Sequence, residues 1–149
     1  MKKIYLILLV IFLCSCAHWN HITTKAMEPT FTVGDFVVID ANFYRNREIK
    51  RFDIVAYIDP THRFIQVSRV VGLPNEIIEF HRGKVYINGN ILEDKYGPTH
   101  SFKRAPVYLA ENDYFLLGDN RENSADSRFF GPLLRKNIIG KVTDIKKTN

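Results

Sequence analysis

The chain has 149 residues, 46% of them hydrophobic and 25% charged, with a formal net charge of +5. This fits one globular domain large enough to bury its own core. Lys and Arg are interspersed with Asp and Glu, which gives a mildly cationic surface and excludes a nucleic-acid footprint, while still favouring an anionic lipid face at about 1 kcal/mol per nearby basic residue.

At the N-terminus, Lys2 and Lys3 precede an apolar run from Ile4 to Leu13, closed by Cys14, Ser15, Cys16 and Ala17. A basic start, an apolar stretch and small residues in that order form an export signal. Ile4 to Ala17 is fourteen residues, short of the roughly twenty that a helix needs to cross a bilayer, so a cleaved signal is expected. Leu13-Cys14-Ser15-Cys16 is similar to a lipoprotein box, which makes Cys16 the expected lipid anchor. The competing reading is an uncleaved signal anchor with Trp19 as an interfacial aromatic. Under either, the domain is held at the membrane of a bacterial envelope, on its extracytoplasmic side. Both cysteines fall in the leader, so the body has none for a disulfide or a metal. The expected division is a targeting segment 1–16, a polar connector 17–25 and a β domain 26–149.

Past the connector, short runs of Val, Ile, Tyr and Phe recur between Gly, Pro, Asn and Asp, the pattern of a β domain. In chain order the expected strands are Phe36 to Ile39, Ile54 to Ile58, Phe64 to Val71, Ile77 to Phe80, Lys84 to Ile87, Ile91-Leu92, Tyr114 to Leu117 and Ile139 to Ile145. Asn88-Gly89 supplies the positive φ angles of a tight turn, so a hairpin is centred there. Glu93 to Pro106 carries Gly97, Pro98 and Pro106 among polar side chains and reads as a surface excursion. No long helical period, internal repeat or low-complexity tract is present.

Five stretches then carry a specific pattern: Ala26-Met27-Glu28-Pro29-Thr30-Phe31; Val33-Gly34-Asp35-Phe36-Val37-Val38; Lys50-Arg51-Phe52-Asp53-Ile54-Val55; Ser68-Arg69-Val70-Val71-Gly72-Leu73-Pro74-Asn75-Glu76; and Gly118-Asp119-Asn120-Arg121-Glu122-Asn123-Ser124-Ala125-Asp126-Ser127-Arg128 with Gly131. In this order they resemble the sequence boxes of type I signal peptidases and span most of the chain after Thr24. The resemblance implies a mainly antiparallel β fold and a serine endopeptidase ancestry built on a Ser/Lys pair. It also implies that the nucleophile position is Ala26 and the base position Ser68. Asn75-Glu76 departs further from the family's Gly-Asp. The last box separates the chain from the self-cleaving repressors, which resemble it in fold.

The two replacements remove the reaction's essentials. A Ser hydroxyl needs a base to take its proton, and Lys serves only when burial lowers its pKa. Ala26 has no hydroxyl and Ser68 is no base near pH 7, so turnover is expected to be close to nil. By resemblance, Thr24 and the backbone N–H of Ala26 form the oxyanion hole. Ser124 orients the base, Arg69 pairs with Asp119, Asp126 pairs with Arg128, and Ile22, Met27, Phe31 and Val67 line a groove for an extended peptide.

Plainer readings stand beside these. Met27, Phe31 and Val67 are apolar residues that core packing alone explains, and the ion pairs could be ordinary surface pairs. His18, His21, His62, His81 and His100 lack the spacing of a zinc site, so no metal or other cofactor is expected. Pairing Lys25 with Ser68 as an inverted dyad is disfavoured, because Lys25 faces away from position 26 if the stretch is extended and is not expected to be buried.

The expected function is binding of exported, signal-peptide-like polypeptides, or of another envelope protein, without cleavage. The alternatives are an active endopeptidase using Ser68 or Thr24 as an unconventional nucleophile, and a structural lipoprotein with a closed groove.

Overall fold

The structure, a computed structural model, describes residues 17–93, 95–96 and 105–148. The leader with Cys16, and most of the excursion between Glu93 and Pro106, lie outside the described residues. Eleven strands form two antiparallel sheets among them.

The larger sheet holds β1 (Ala17–His21), β2 (Phe36–Asp40), β11 (Ile138–Lys146), β3 (Ile54–Ile58), β4 (Ile65–Gly72), β9 (Asp113–Leu117) and β10 (Leu133–Leu134), in that spatial order. The smaller sheet runs β7 (Asn90–Ile91), β6 (Lys84–Ile87), β5 (Ile77–His81) and β8 (Val107–Tyr108). One four-residue helix, α1 (Ser127–Phe130), follows β9.

The strands expected from Val- and Ile-rich runs form with small shifts: β4 begins at Ile65, β7 takes Asn90 in place of Leu92, and β9 and β11 start one residue earlier. The hairpin between β6 and β7 turns at Asn88 and Gly89, with φ of 52° and 79°. Asn88 also accepts the Ile77 N–H through its side chain at 2.8 Å and donates its own N–H to the Ile77 carbonyl.

Ala17–His21 is a departure from the expected polar connector, because it is the edge strand β1, paired with β2 from Ala17↔Asp40 to His21↔Phe36. Its sequence has no Val or Ile; the ladder offered by β2 stabilises it where propensity does not.

Alternation along the strands sorts side chains into three cores. On β4, Val67 packs against the cluster of Ile22, Met27, Phe31, Val37, Ile39, Ala56 and Val142. Val70 joins Val55, Tyr57, Leu116, Leu133 and Ile138, while Val71 faces the small sheet with Ile78, Phe80, Val85, Phe115 and Leu117. At Gly72 a Cβ would come within 2.8 Å of Leu109 and Phe115, so the two sheets close together there because this position has no side chain.

The end of the chain ties down the loop before β2. Thr148 donates its N–H to Asp35 at 2.9 Å and its hydroxyl to the Gly34 carbonyl at 2.7 Å, and Lys147 donates to the Thr30 carbonyl at 2.9 Å. Asp35 also accepts the Thr32 N–H. The Thr32 and Thr148 N–H groups hold its carboxyl below the usual range.

Candidate functional site

Three segments meet at Gly118, just beyond β9. A Cβ built there would lie 2.1 Å from the Ser124 hydroxyl, 2.4 Å from the Ser124 Cβ and 2.6 Å from the Ala26 carbonyl oxygen. Only glycine permits this approach. The Ala26 carbonyl also accepts the Asn120 N–H at 3.0 Å, so the turn at 26 is fixed against the 118–126 loop through the main chain. Ala26 itself is buried and its methyl offers no reactive atom.

Two buried carboxylates fix that loop. Asp119 takes two parallel bonds from Arg69, at 2.8 Å from Nε and 2.7 Å from Nη2, and a short one from the Thr30 hydroxyl. Arg69 further donates to the Phe52 carbonyl and lies 4.5 Å over the Tyr96 ring. Asp126, fully buried, caps α1 by accepting the Arg128 N–H, and accepts from Gly118 N–H, the Ser124 hydroxyl and both Nε and Nη2 of Arg128. Bidentate, fully bonded pairs of this kind are rigid. Both are buried, unlike the weak surface pairs of the plainer reading.

Ser68 stands opposite Val55 on β3. It is therefore on the opposite face of β4 from Val67, which stands opposite Ala56. Its hydroxyl lies 3.3 Å from the Tyr57 hydroxyl, and both residues are buried. Burial pushes the Tyr57 phenol above its ordinary value, so at neutral pH it is uncharged and is no base. Ser124 spends its proton on Asp126. Lys25 is exposed while Ser68 is buried.

Ile22, Met27, Phe31 and Val67 all line one cleft of about 150 Å³, with Thr24, Phe64 and Ile65 at its sides. Thr24 is exposed there. Among the described residues no group of three or more His, Cys, Asp or Glu side chains is placed to hold a metal ion.

Sequence reasoning did not single out Thr30 or Tyr57. Thr30 sits inside the first motif and could have been found there. Tyr57 looked like one more strand aromatic, and only the diagonal relation between β3 and β4 brings it to Ser68.

The family model for "Signal peptidase, peptidase S26" matches residues 1–145. The chain belongs to the signal peptidase, peptidase S26, family. It is 34% identical over 134 residues to "Signal peptidase I V" of Bacillus subtilis, covering 80% of this chain and 79% of that one. It is 32% identical over 133 residues to "Probable signal peptidase I-2" of Synechocystis, covering 84% of this chain. The chain spans 61% of that relative's length. A solved signal peptidase I from Enterococcus faecalis superposes with a TM-score of 0.57 at 30% identity, covering 65% of this chain and 98% of that one. This signal peptidase I-like chain thus has the mainly antiparallel β fold of the family, with Ala26 and Ser68 at the points described.

Proposed function

We propose that this chain binds exported, signal-peptide-like polypeptides at the outer face of a membrane and does not cleave them. The observation that carries the reading is the coexistence of a cleft, walled in part by core side chains and in part by polar ones, with an unreactive centre. Ile22, Met27, Phe31 and Val67 line the cleft, while Ala26 has no hydroxyl and the Ser68 hydroxyl is buried against Tyr57. The relatives are named signal peptidases, which supports an extended peptide as the occupant. Main-chain hydrogen bonds would supply much of its affinity, with small side chains filling the cleft.

Membrane attachment through Cys16 or an uncleaved anchor agrees with the position of β1. Trp19 and Phe36 are exposed on the adjacent strands β1 and β2, where the chain enters the sheet from segment 1–16. Large apolar side chains left in the open at such an edge suit an interfacial position.

The endopeptidase alternative has less support, because Ser68 is buried beside a neutral phenol and Thr24 is exposed with no base assigned to it.

The test uses the full-length chain in detergent, a labelled signal peptide and a preprotein. Binding without product is expected from the wild type, with affinity reduced about tenfold or more, some 1.4 kcal/mol, by Val67→Glu. The A26S/S68K double substitution is expected to gain measurable cleavage. Cleavage by the wild type, lost on Ser68→Ala or Thr24→Ala, would overturn the reading.

A further inference from the structure

Tyr57 has a role at the centre that none of the motifs assigns to it. It lies on β3 two residues after Val55, the cross-strand partner of Ser68, so the Tyr57 and Ser68 side chains share one face of the sheet. Tyr57 is fully buried and Ser68 is 1% exposed. The Phe130 ring lies 6.0 Å from the Tyr57 ring, and Tyr57 packs in the same core as Val55, Val70 and Leu116. Two hydroxyls enclosed this way need partners. Each supplies the other, at 3.3 Å.

The same contact limits what position 68 can hold. A longer unbranched side chain would place its Cγ about where the Ser68 Oγ stands and would need room beyond it for the rest of its length. The Tyr57 oxygen is 3.3 Å from that point, about the closest ordinary approach of oxygen to carbon, so no room remains in that direction for the atoms beyond Cγ. Such a chain must therefore displace the phenol or turn away from it, in a core packed tightly enough that either movement is costly.

We propose that Tyr57 is a positioning residue for position 68, its hydroxyl closing the space that a base there would occupy, so that the change at 26 and 68 includes a third position. This rests on the reading of position 68 as the base position. Tyr57 does not line the peptide cleft, so its effect falls on the reactive centre and leaves peptide binding alone.

The experiment measures thermal unfolding of the full-length chain for Ser68→Lys in the wild-type and Tyr57→Phe backgrounds, with Ser68→Met as an uncharged second probe. The drop in Tm on going from Ser68→Ala, in which the Tyr57–Ser68 hydrogen bond is already absent, to either long side chain is expected to be smaller by at least about 3 °C when Phe replaces Tyr57. Equal drops in both backgrounds, for both probes, would overturn the proposal. Kinetics add a readout that simple packing would not move. A26S/S68K/Y57F is expected to exceed A26S/S68K at least about tenfold in kcat with little change in KM. A gain confined to KM would count against the assignment. If neither variant cleaves, the reading of an otherwise intact frame fails, and the thermal comparison still decides the role of Tyr57.

Discussion

Removing Asp119 tests whether the loop beside Ala26 depends on its buried ion pair. The Asp119 side chain is fully buried and that of Arg69 is one-tenth exposed, with two parallel bonds at 2.8 and 2.7 Å between them and a third to Asp119 from Thr30. Asp119→Ala leaves a desolvated guanidinium without its carboxylate, and breaking a buried pair in this way costs about 3–5 kcal/mol. At about 3 °C per kcal/mol for a domain of this size, Tm should fall by roughly 9–15 °C. Arg69→Met leaves a buried carboxylate with the Thr30 hydroxyl and should cost a similar amount. The combined Arg69→Met, Asp119→Ala substitution should cost clearly less than the two single losses added together, because both remove the same ion pair. Thermal or urea unfolding of the four proteins supplies the cycle. A loss below about 1 kcal/mol for either single substitution, as an exposed pair would give, or strict additivity, would refute the reasoning.

Gly118→Ala should destabilise the chain by about 1–3 kcal/mol or more, since its methyl would meet the Ala26 carbonyl at 2.6 Å and backbone yields less readily than a side chain. Urea unfolding checks this, and Gly89→Ala serves as a comparison with open space around it, where only the positive φ is penalised. Acid stability follows from Asp35, Asp53 and Asp59. For Asp53 and Asp59 burial alone would raise the pKa, but the Lys141 bond to Asp53 and the His62 and Thr61 N–H groups at Asp59 outweigh it, so all three carboxyls lie below their ordinary range. A depressed folded pKa stabilises the fold above the unfolded value and is lost as pH falls through the folded one. Tm should therefore be level with respect to these groups above about pH 5 and decline below about pH 4, with a shallower decline in Asp59→Asn; a wild-type Tm unchanged down to pH 2.5 would contradict this.

Much of the β framework was legible because its strands are runs of Val, Ile and aromatics between turn residues, and because Asn88-Gly89 allows few conformations. β1 was not, since Ala17–His21 carries no strand signal of its own and forms only against β2. The helix α1 spans a single turn, too short for a period to emerge, and is set by the Asp126 cap. At the candidate site, the motifs named Ala26, Ser68, Asp119 and Asp126, but the Thr30 contact with Asp119 and the Tyr57 contact with Ser68 join residues 89 and 11 positions apart in sequence. Such contacts depend on how the strands are stacked, which local pattern does not encode.

The bonds from Lys147 and Thr148 to the 30–35 loop span 113 to 117 positions of sequence. Phe31, one wall of the cleft, lies in that loop, so this wall is held by residues more than a hundred positions away that do not themselves line the cleft. Loosening Lys147 or Thr148 would therefore loosen the wall without altering any side chain that faces the cleft.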